Sequence, residues 1–97
     1  DVPKADVVIT NPTELAVAVK YDEKEMVAPQ ITTKGQRLFA DMIRELADEF
    51  GIPIVQNPPL AWTLIELDVG DEVPEEIYTA VAEILVYVDR MKTERGA

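Results

Sequence analysis

The sequence predicts an α/β domain, in which a small mixed sheet of about four strands is packed by about three helices. Two observations support this fold class. Short runs rich in apolar and β-branched residues alternate along the chain with segments whose apolar residues recur at helical spacing. The chain has 97 residues, 47 % of them apolar, and no internal repeat or shift of composition. We therefore expect one domain, residues 1–97, although the strand order does not follow from the sequence.

The first three predicted strands lie in the N-terminal third of the chain. Residues 6–10 (DVVIT) and 15–21 (LAVAVKY) are separated by Asn11-Pro12-Thr13, since proline lacks a backbone donor and asparagine favours turns. A weaker third strand is predicted at residues 27–32. Alternation in the second strand places Leu15, Val17 and Val19 on one face. Ala16 and Ala18 lie on the other face, where another element should pack closely.

Residues 33–50 predict an amphipathic helix. Thr33 and Gln36 have the spacing of a capping box, and Gly51 follows where a helix would end. This helix connects the third and fourth strands and would form the crossover between them. Its core positions are predicted from the helical spacing of its apolar residues: Leu38, Phe39, Met42, Ile43, Leu46, Ala47 and Phe50.

The C-terminal half completes the predicted fold. Residues 52–56 (IPIVQ) form a fourth strand, and a short helix over residues 57–67 begins with Asn57 as its N-cap, followed by two prolines. Gly70-Asp71 forms a turn, and the last helix begins near Pro74. Its apolar stripe comprises Ile77, Val81, Ile84, Leu85 and Val88.

The charge and the missing residue types exclude several function classes. The chain has 19 Asp plus Glu against 9 Lys plus Arg, so nucleic acids and anionic membranes should be repelled. It contains no cysteine and no histidine, which removes the thiol nucleophile, the usual neutral-pH base and the commonest metal ligand. No cofactor is expected, and no apolar run has the ~20 residues that a membrane helix needs. Proteins are the expected partners.

An acidic cluster surrounds Gly70: Asp68, Asp71, Glu72, Glu75 and Glu76. Its spacing does not match the calcium-binding loop motif. Acidic residues often stabilise a helix N terminus by complementing the helix dipole, and we favour this role over a cation site. No metal site is predicted.

Several motifs together resemble the processing region of the FlhB/YscU family and the sequence that follows it. The first are DVVITNPT (residues 6–13) and AVAVKYD (residues 16–22). They are followed in the family's order and spacing by Ala28-Pro29, Lys34-Gly35, GIPIV (51–55), NPPLA (57–61) and VGDEVPEE (69–76). The Asn-Pro-Thr motif alone is weak, whereas the combined pattern spans nearly the whole chain.

The resemblance implies a C-terminal cytoplasmic domain at the inner membrane, belonging to a multi-pass protein of a type III export apparatus. Such proteins help to switch export from early to late substrates. The implied partners are other export-apparatus proteins, a hook-length or needle-length control protein, and export substrates or their chaperones. Residues 16–22 resemble flagellar members more than injectisome members.

The resemblance also implies self-cleavage between Asn11 and Pro12, into residues 1–11 and 12–97. The residues permit this chemistry, because Pro12 has no N–H with which to attack the Asn11 side chain and deamidation by that route is blocked. The Asn11 amide can instead attack its own main-chain carbonyl when a strained turn brings them together. A simple turn is the alternative, since Asn-Pro is common turn chemistry.

Thr13 and Glu14 are expected to modulate the cleavage. The family motif usually has histidine at the position of Glu14. Histidine accepts and returns protons near neutral pH, whereas a solvated carboxylate does not readily donate one. The alternative is that Glu14 acts as a base toward the Asn11 amide, but we predict slower cleavage than in a relative with histidine. The Asn57-Pro58 pair serves as an internal control, because an N-cap side chain would bond to helix amides instead of attacking its own carbonyl.

Residues Pro59, Leu60, Ala61 and Trp62 are a candidate binding segment. The family commonly has arginine at the position of Trp62, which is either packed on the sheet, the interpretation we favour, or an exposed aromatic anchor for a partner. Two other functions remain open. The first is a stand-alone, non-processed paralogue that binds proteins. The second, which is least favoured, is a small enzyme acting on an external substrate.

Overall fold

The computed structural model describes the backbone of residues 2–12 and 14–96 and the side chains of residues 2–12 and 14–91. Within these residues a short 3-10 helix, Val2–Lys4, precedes four strands and three α-helices. The strands are β1 (Val7–Asn11), β2 (Leu15–Lys20), β3 (Gln30–Gln36) and β4 (Ile54–Gln56). The helices are α1 (Leu38–Phe50), α2 (Pro58–Leu64) and α3 (Glu75–Gly96). The predicted α/β class with a small mixed sheet is confirmed.

The sheet has the order β3-β2-β1-β4, so the first strand lies inside it. On one side β1 pairs antiparallel with β2, with Asn11 opposite Leu15. On the other side β1 pairs parallel with β4, with Val8 opposite Ile54. The connection from β3 through α1 to β4 therefore crosses over β2 and β1 to the opposite edge, as predicted for this helix.

The two faces of β2 carry the two parts of the core. Leu15, Val17 and Val19 belong to the larger hydrophobic cluster, which includes residues of α2 and α3. Ala16 and Ala18 point to the other face and pack with Ala40, Ile43 and Ala47 of α1. The expectation that an element packs closely on the alanine face is confirmed.

The boundary between β3 and α1 differs from the prediction. Residues 33–36, predicted as the first turn of the helix, pair with β2 as the second half of β3, and the strand begins at Gln30. The Thr33–Gln36 capping box is therefore wrong, and Arg37 occupies the N-cap position of α1 without a side-chain cap. Ladder hydrogen bonds with a buried neighbouring strand outweigh a local capping preference, because they satisfy several backbone groups at once.

The predicted core face of α1 is also partly wrong. Ala40, Ile43 and Ala47 are buried, whereas five larger apolar residues are exposed: Leu38, Phe39, Met42, Leu46 and Phe50. The cause is the small-residue surface beneath the helix. A Cβ built on Gly35 would lie 2.6 Å from the Phe39 Cβ, so α1 lies close to the sheet at this point, and its buried side holds two alanines and Ile43.

The predicted end of α1 and the later elements are confirmed, although β4 and α2 are shorter than predicted and α3 begins one residue after Pro74. Gly51 ends α1 in the left-handed conformation (φ 70°), which glycine adopts without a steric penalty. The predicted stripe of α3 faces the larger cluster, with Val81 and Val88 fully buried and Ile77, Ile84 and Leu85 partly so. No described helix is both long and apolar enough to cross a membrane.

Candidate functional site

The candidate site is the turn between β1 and β2. Asn11 is the last residue of β1 and is half-buried, whereas Pro12 and Glu14 are exposed. Thr13, the other residue predicted to modulate cleavage, lies outside the described residues. The Asn11-Pro12 bond therefore joins a buried central strand to a solvent-exposed loop.

Three carbonyl groups of the turn each accept a hydrogen bond. The Glu14 N–H donates to the Asn11 carbonyl oxygen (3.1 Å), which closes the turn. The Arg44 guanidinium donates to the Pro12 carbonyl oxygen (2.7 Å). The Arg37 N–H donates to the Glu14 carbonyl oxygen (2.9 Å). The turn is thus held by its own backbone and by two residues at the N-terminal end and in the middle of α1.

The bond to the Asn11 carbonyl has a chemical consequence. If the carbonyl carbon is attacked, negative charge develops on this oxygen, and a hydrogen-bond donor already aimed at it stabilises that charge. The donor is the backbone N–H of Glu14, so it does not depend on the side chain at position 14. The Glu14 side chain is exposed, consistent with the solvated carboxylate considered above.

The Asn11 side chain has no hydrogen-bond partner among residues 2–12 and 14–91. An amide without such a partner keeps its nitrogen available for attack on the adjacent main-chain carbonyl. Asn57 differs in its side chain, although its main-chain carbonyl also accepts a bond, from the Ala61 N–H (2.9 Å). Its side-chain oxygen accepts a hydrogen bond from the Leu60 N–H (3.2 Å), and Pro58 and Pro59 follow in the first turn of α2. The predicted N-cap is confirmed.

Sequence reasoning missed Arg44. Its guanidinium contacts the Pro12 carbonyl and is also bound to Asp41, one turn earlier in α1. Arg44 is separated from Pro12 by 32 residues, and a charged residue on an amphipathic helix gives no signal of such a contact. Only the crossover path of α1 brings the two together.

The candidate binding segment divides between core and surface. Leu60 and Ala61 are buried in the larger cluster, where they pack α2 on the sheet. Pro59 is exposed, and 49 % of the Trp62 surface is accessible, so the ring is only half covered. Packing on the sheet thus accounts for Leu60 and Ala61, whereas the favoured interpretation of Trp62 as packed on the sheet is wrong, because its side chain is exposed. The binding role stays a prediction.

The acidic residues around Gly70 take part in the loop structure. The Asp71 carboxylate accepts a hydrogen bond from the Asp68 N–H (2.9 Å), and Glu72 forms an isolated bridge with Gln30 at the edge of β3. Glu75 and Glu76 lie in the first turn of α3, as the dipole argument expects. No group of acidic residues with metal-binding geometry is found in the described part of the chain.

Comparison with known proteins matches this chain to one family. The model of the FlhB HrpN YscU SpaS family matches residues 1–88. The flagellar biosynthetic protein FlhB of Salmonella typhimurium is 46 % identical over 98 residues, covering 100 % of this chain and 26 % of its own length. The FlhB of Bacillus subtilis is 48 % identical over 93 residues, covering 95 % of the chain and 26 % of its own length.

Solved structures agree with the sequence match. The cytoplasmic domain of FlhB from Shewanella putrefaciens superposes with a TM-score of 0.91 at 42 % identity, covering 98 % of this chain and 74 % of that one. An EscU C-terminal domain with an asparagine-to-alanine substitution gives a TM-score of 0.86 at 26 % identity, covering 90 % of this chain and 88 % of that one.

The fold and the Asn-Pro turn between its first two strands thus define the class, the C-terminal domains of type III export-apparatus proteins. The chain belongs to the FlhB HrpN YscU SpaS family, and the two relatives described above are its flagellar members. It spans about a quarter of the length of these curated relatives, 26 % in each case.

Proposed function

We propose that this chain is the cytoplasmic domain of a flagellar type III export protein that helps to switch export from early to late substrates. Its parent protein would lie in the bacterial inner membrane. Self-cleavage at Asn11-Pro12, slowed by Glu14, would prepare the domain for the switch. The observation that carries the proposal is the Asn11 carbonyl, which bears a backbone donor at 3.1 Å while the adjacent side-chain amide has no partner among the described residues.

The proposed reaction is intramolecular and balanced. The Asn11 Nδ2 atom forms a bond to the Asn11 main-chain carbonyl carbon, and the bond from that carbon to the Pro12 nitrogen breaks. The proton that Nδ2 loses goes to the Pro12 nitrogen, which leaves as a secondary amine. Asn11 becomes a C-terminal succinimide, which water then opens. The chain turns over once and is not an enzyme acting on other molecules.

The position of β1 determines what cleavage would change. Val7, Val8, Ile9 and Thr10 are fully buried, and β1 is bonded to β2 on one side and to β4 on the other. We therefore expect residues 1–11 to stay in the sheet after the bond breaks. Cleavage would then free two termini at the exposed loop without unfolding the core, and a partner that reads this loop could distinguish the two states.

Mass spectrometry tests the proposed cleavage directly. Under denaturing conditions the processed chain gives two species, ending at Asn11 and beginning at Pro12, whereas under native conditions they remain associated. We expect Asn11→Ala to give only the intact chain, and Asn57→Ala to be processed like the unaltered protein. Cleavage of the Asn11→Ala variant, or cleavage after Asn57, would contradict the assignment.

A chimera tests the switching role and the alternative of a non-processed binding module. This chain replaces the corresponding domain of Salmonella typhimurium FlhB, and swimming motility and hook length are measured. We expect motile cells with the unaltered chain, and over-long hooks with few filaments when Asn11 is replaced by alanine. Equal motility of the two chimeras would favour a protein-binding module that does not need processing.

A further inference from the structure

One side of α1 is apolar and uncovered. Leu38, Met42, Leu46 and Phe50 follow one another at every fourth position, with 77 %, 54 %, 36 % and 51 % of their surfaces exposed, respectively. Residues four apart lie on the same side of a helix. These four residues, called the apolar row below, therefore form a continuous ridge about 18 Å long at 1.5 Å per residue. Phe39, 68 % exposed, extends the ridge near its first turn.

The apolar row has no place in the core of this domain. The side of α1 toward the sheet is already filled by Ala40, Ile43 and Ala47, which pack against the alanines of β2. At Gly35 of β3 the helix lies so close to the sheet that a Cβ at this position would come within 2.6 Å of the Phe39 Cβ. Rotating α1 to bury the row would remove this packing, so the row stays outside in the isolated domain.

A row of carboxylates runs beside the apolar row. Asp41, Glu45 and Glu49 also lie at every fourth position, and all three are exposed. Asp41 is bound to Arg44, whereas Glu45 and Glu49 form no ion pair with the described residues. An apolar ridge beside an acidic ridge, two of whose three carboxylates have no ion pair with the described residues, is complementary to an amphipathic helix that places Lys or Arg beside its apolar stripe.

We infer that the apolar row of α1 is a docking surface for a basic amphipathic helix of a partner protein. A second copy of this chain fits less well, because each copy has a net charge of −10 and would bring its own acidic row to the contact. Zipper-like packing of one amphipathic helix on another uses anchors at such spacing. The inference does not rest on cleavage, since Asn11 takes no part in the surface.

Two matched peptides test the inference. Both are capped, have about 18 residues and carry leucine along one helical face, with lysine on the other face in one peptide and glutamate in the second. Titration uses the Asn11→Ala protein, so that the outcome does not depend on processing. We expect the lysine peptide to bind about 10-fold or more tightly than the glutamate peptide, because only its charge complements the acidic row. Raising the ionic strength from about 0.01 M to about 1 M should weaken its binding.

Variants locate the binding. Replacing Met42 and Leu46 together with glutamine should reduce affinity for the lysine peptide about 10-fold, since both side chains are exposed and their apolar contact is lost. Replacing Glu45 and Glu49 with glutamine should make binding less dependent on salt. The matched control is Val69→Gln, which removes a similarly exposed apolar side chain beside the acidic loop. It should change neither the affinity for the lysine peptide nor the salt dependence of binding.

Three results would overturn the inference. The first is equal binding of the two peptides, and the second is lysine-peptide binding that the Met42/Leu46 variant does not weaken. The third is a dimer in sedimentation experiments that strengthens with salt and is lost in that variant, because the row would then bind a second copy. Circular dichroism checks that each variant remains folded.

Discussion

The chain contains two Asn-Pro bonds, and the structure treats them in opposite ways. At Asn57 the side-chain oxygen is bound to the Leu60 N–H, and the prolines that follow begin helix α2. At Asn11 the side chain has no partner among the described residues, although its main-chain carbonyl accepts a bond from the Glu14 N–H, as the Asn57 carbonyl does from the Ala61 N–H. The same dipeptide is thus a helix cap in one place and a candidate for cyclisation in the other.

An Asn-Pro bond is therefore not labile because of its two residues alone. Proline after asparagine removes one competing reaction at both positions. The main-chain carbonyl is hydrogen-bonded at both positions, so what differs is whether the asparagine side chain is bound as well, and this depends on whether the chain continues into a helix or turns back into a strand. The predictions below alter the two sites in turn, from the largest expected effect to the smallest.

Replacing Glu14 with histidine should have the largest effect. A histidine near neutral pH can accept the proton from the Asn11 amide and deliver one to the leaving Pro12 nitrogen, so we expect cleavage to accelerate about 100-fold. The rate is followed by mass spectrometry under denaturing conditions. Glu14→Gln is the control, since it removes the charge without adding a proton carrier. Equal rates for the unaltered chain and Glu14→His would contradict the role assigned to position 14.

Replacing Arg44 with methionine should slow cleavage by about 10-fold. The variant keeps much of the apolar stem but loses the donor that fixes the Pro12 carbonyl, so the turn samples more conformations and attack becomes less frequent. The experiment uses the Glu14→His background, in which the rate is easier to measure. Arg44→Lys, which retains a donor, should recover part of the rate. A positioning role is excluded if the methionine variant cleaves at the original rate.

Replacing Asn57 with alanine should lower the free energy of unfolding by about 1 kcal/mol, the usual contribution of an N-cap side chain. Its cleavage at Asn11 should be unchanged. Asn11→Ala should show the reverse, with cleavage lost and stability nearly unchanged, because its side chain has no partner among the described residues. Urea denaturation of both variants completes the comparison. Equal destabilisation of the two would mean that Asn11 is also a structural residue.

Replacing Arg37 with glycine should have the smallest effect, raising the free energy of unfolding by about 1 kcal/mol or less. Arg37 has φ 55° and ψ −116°, a backbone conformation that favours glycine. Its N–H, which holds the Glu14 carbonyl, is present in either residue. Urea denaturation measures the gain, and an unchanged cleavage rate shows that the turn is still held. A loss of stability would show that the Arg37 side chain contributes more than its backbone strain costs.

Local signals in the sequence predict much of the fold and, of the site, the Asn11-Pro12 turn but not its contact with Arg44. The alternation in β2 depends only on neighbouring residues, as do the left-handed stop at Gly51 and the cap at Asn57. The Asn11-Pro12 turn was predicted in the same way, from residues that determine the turn themselves. The predicted start of α1 is wrong because the capping preference of Thr33 and Gln36 is weaker than the hydrogen bonding that these residues gain by pairing with β2.

What the sequence alone determined is therefore the fold class, the positions of most elements and the identity of the Asn-Pro turn, since each follows from short-range preferences. Only the tertiary structure decided which carbonyls of the turn are held and by which residues. Arg44 contacts Pro12 because α1 crosses over the sheet. The apolar row is exposed because the opposite side of α1 packs against the alanines of β2 and Gly35 of β3. Both depend on residues distant in the chain, whose contacts are fixed by packing and leave no local pattern.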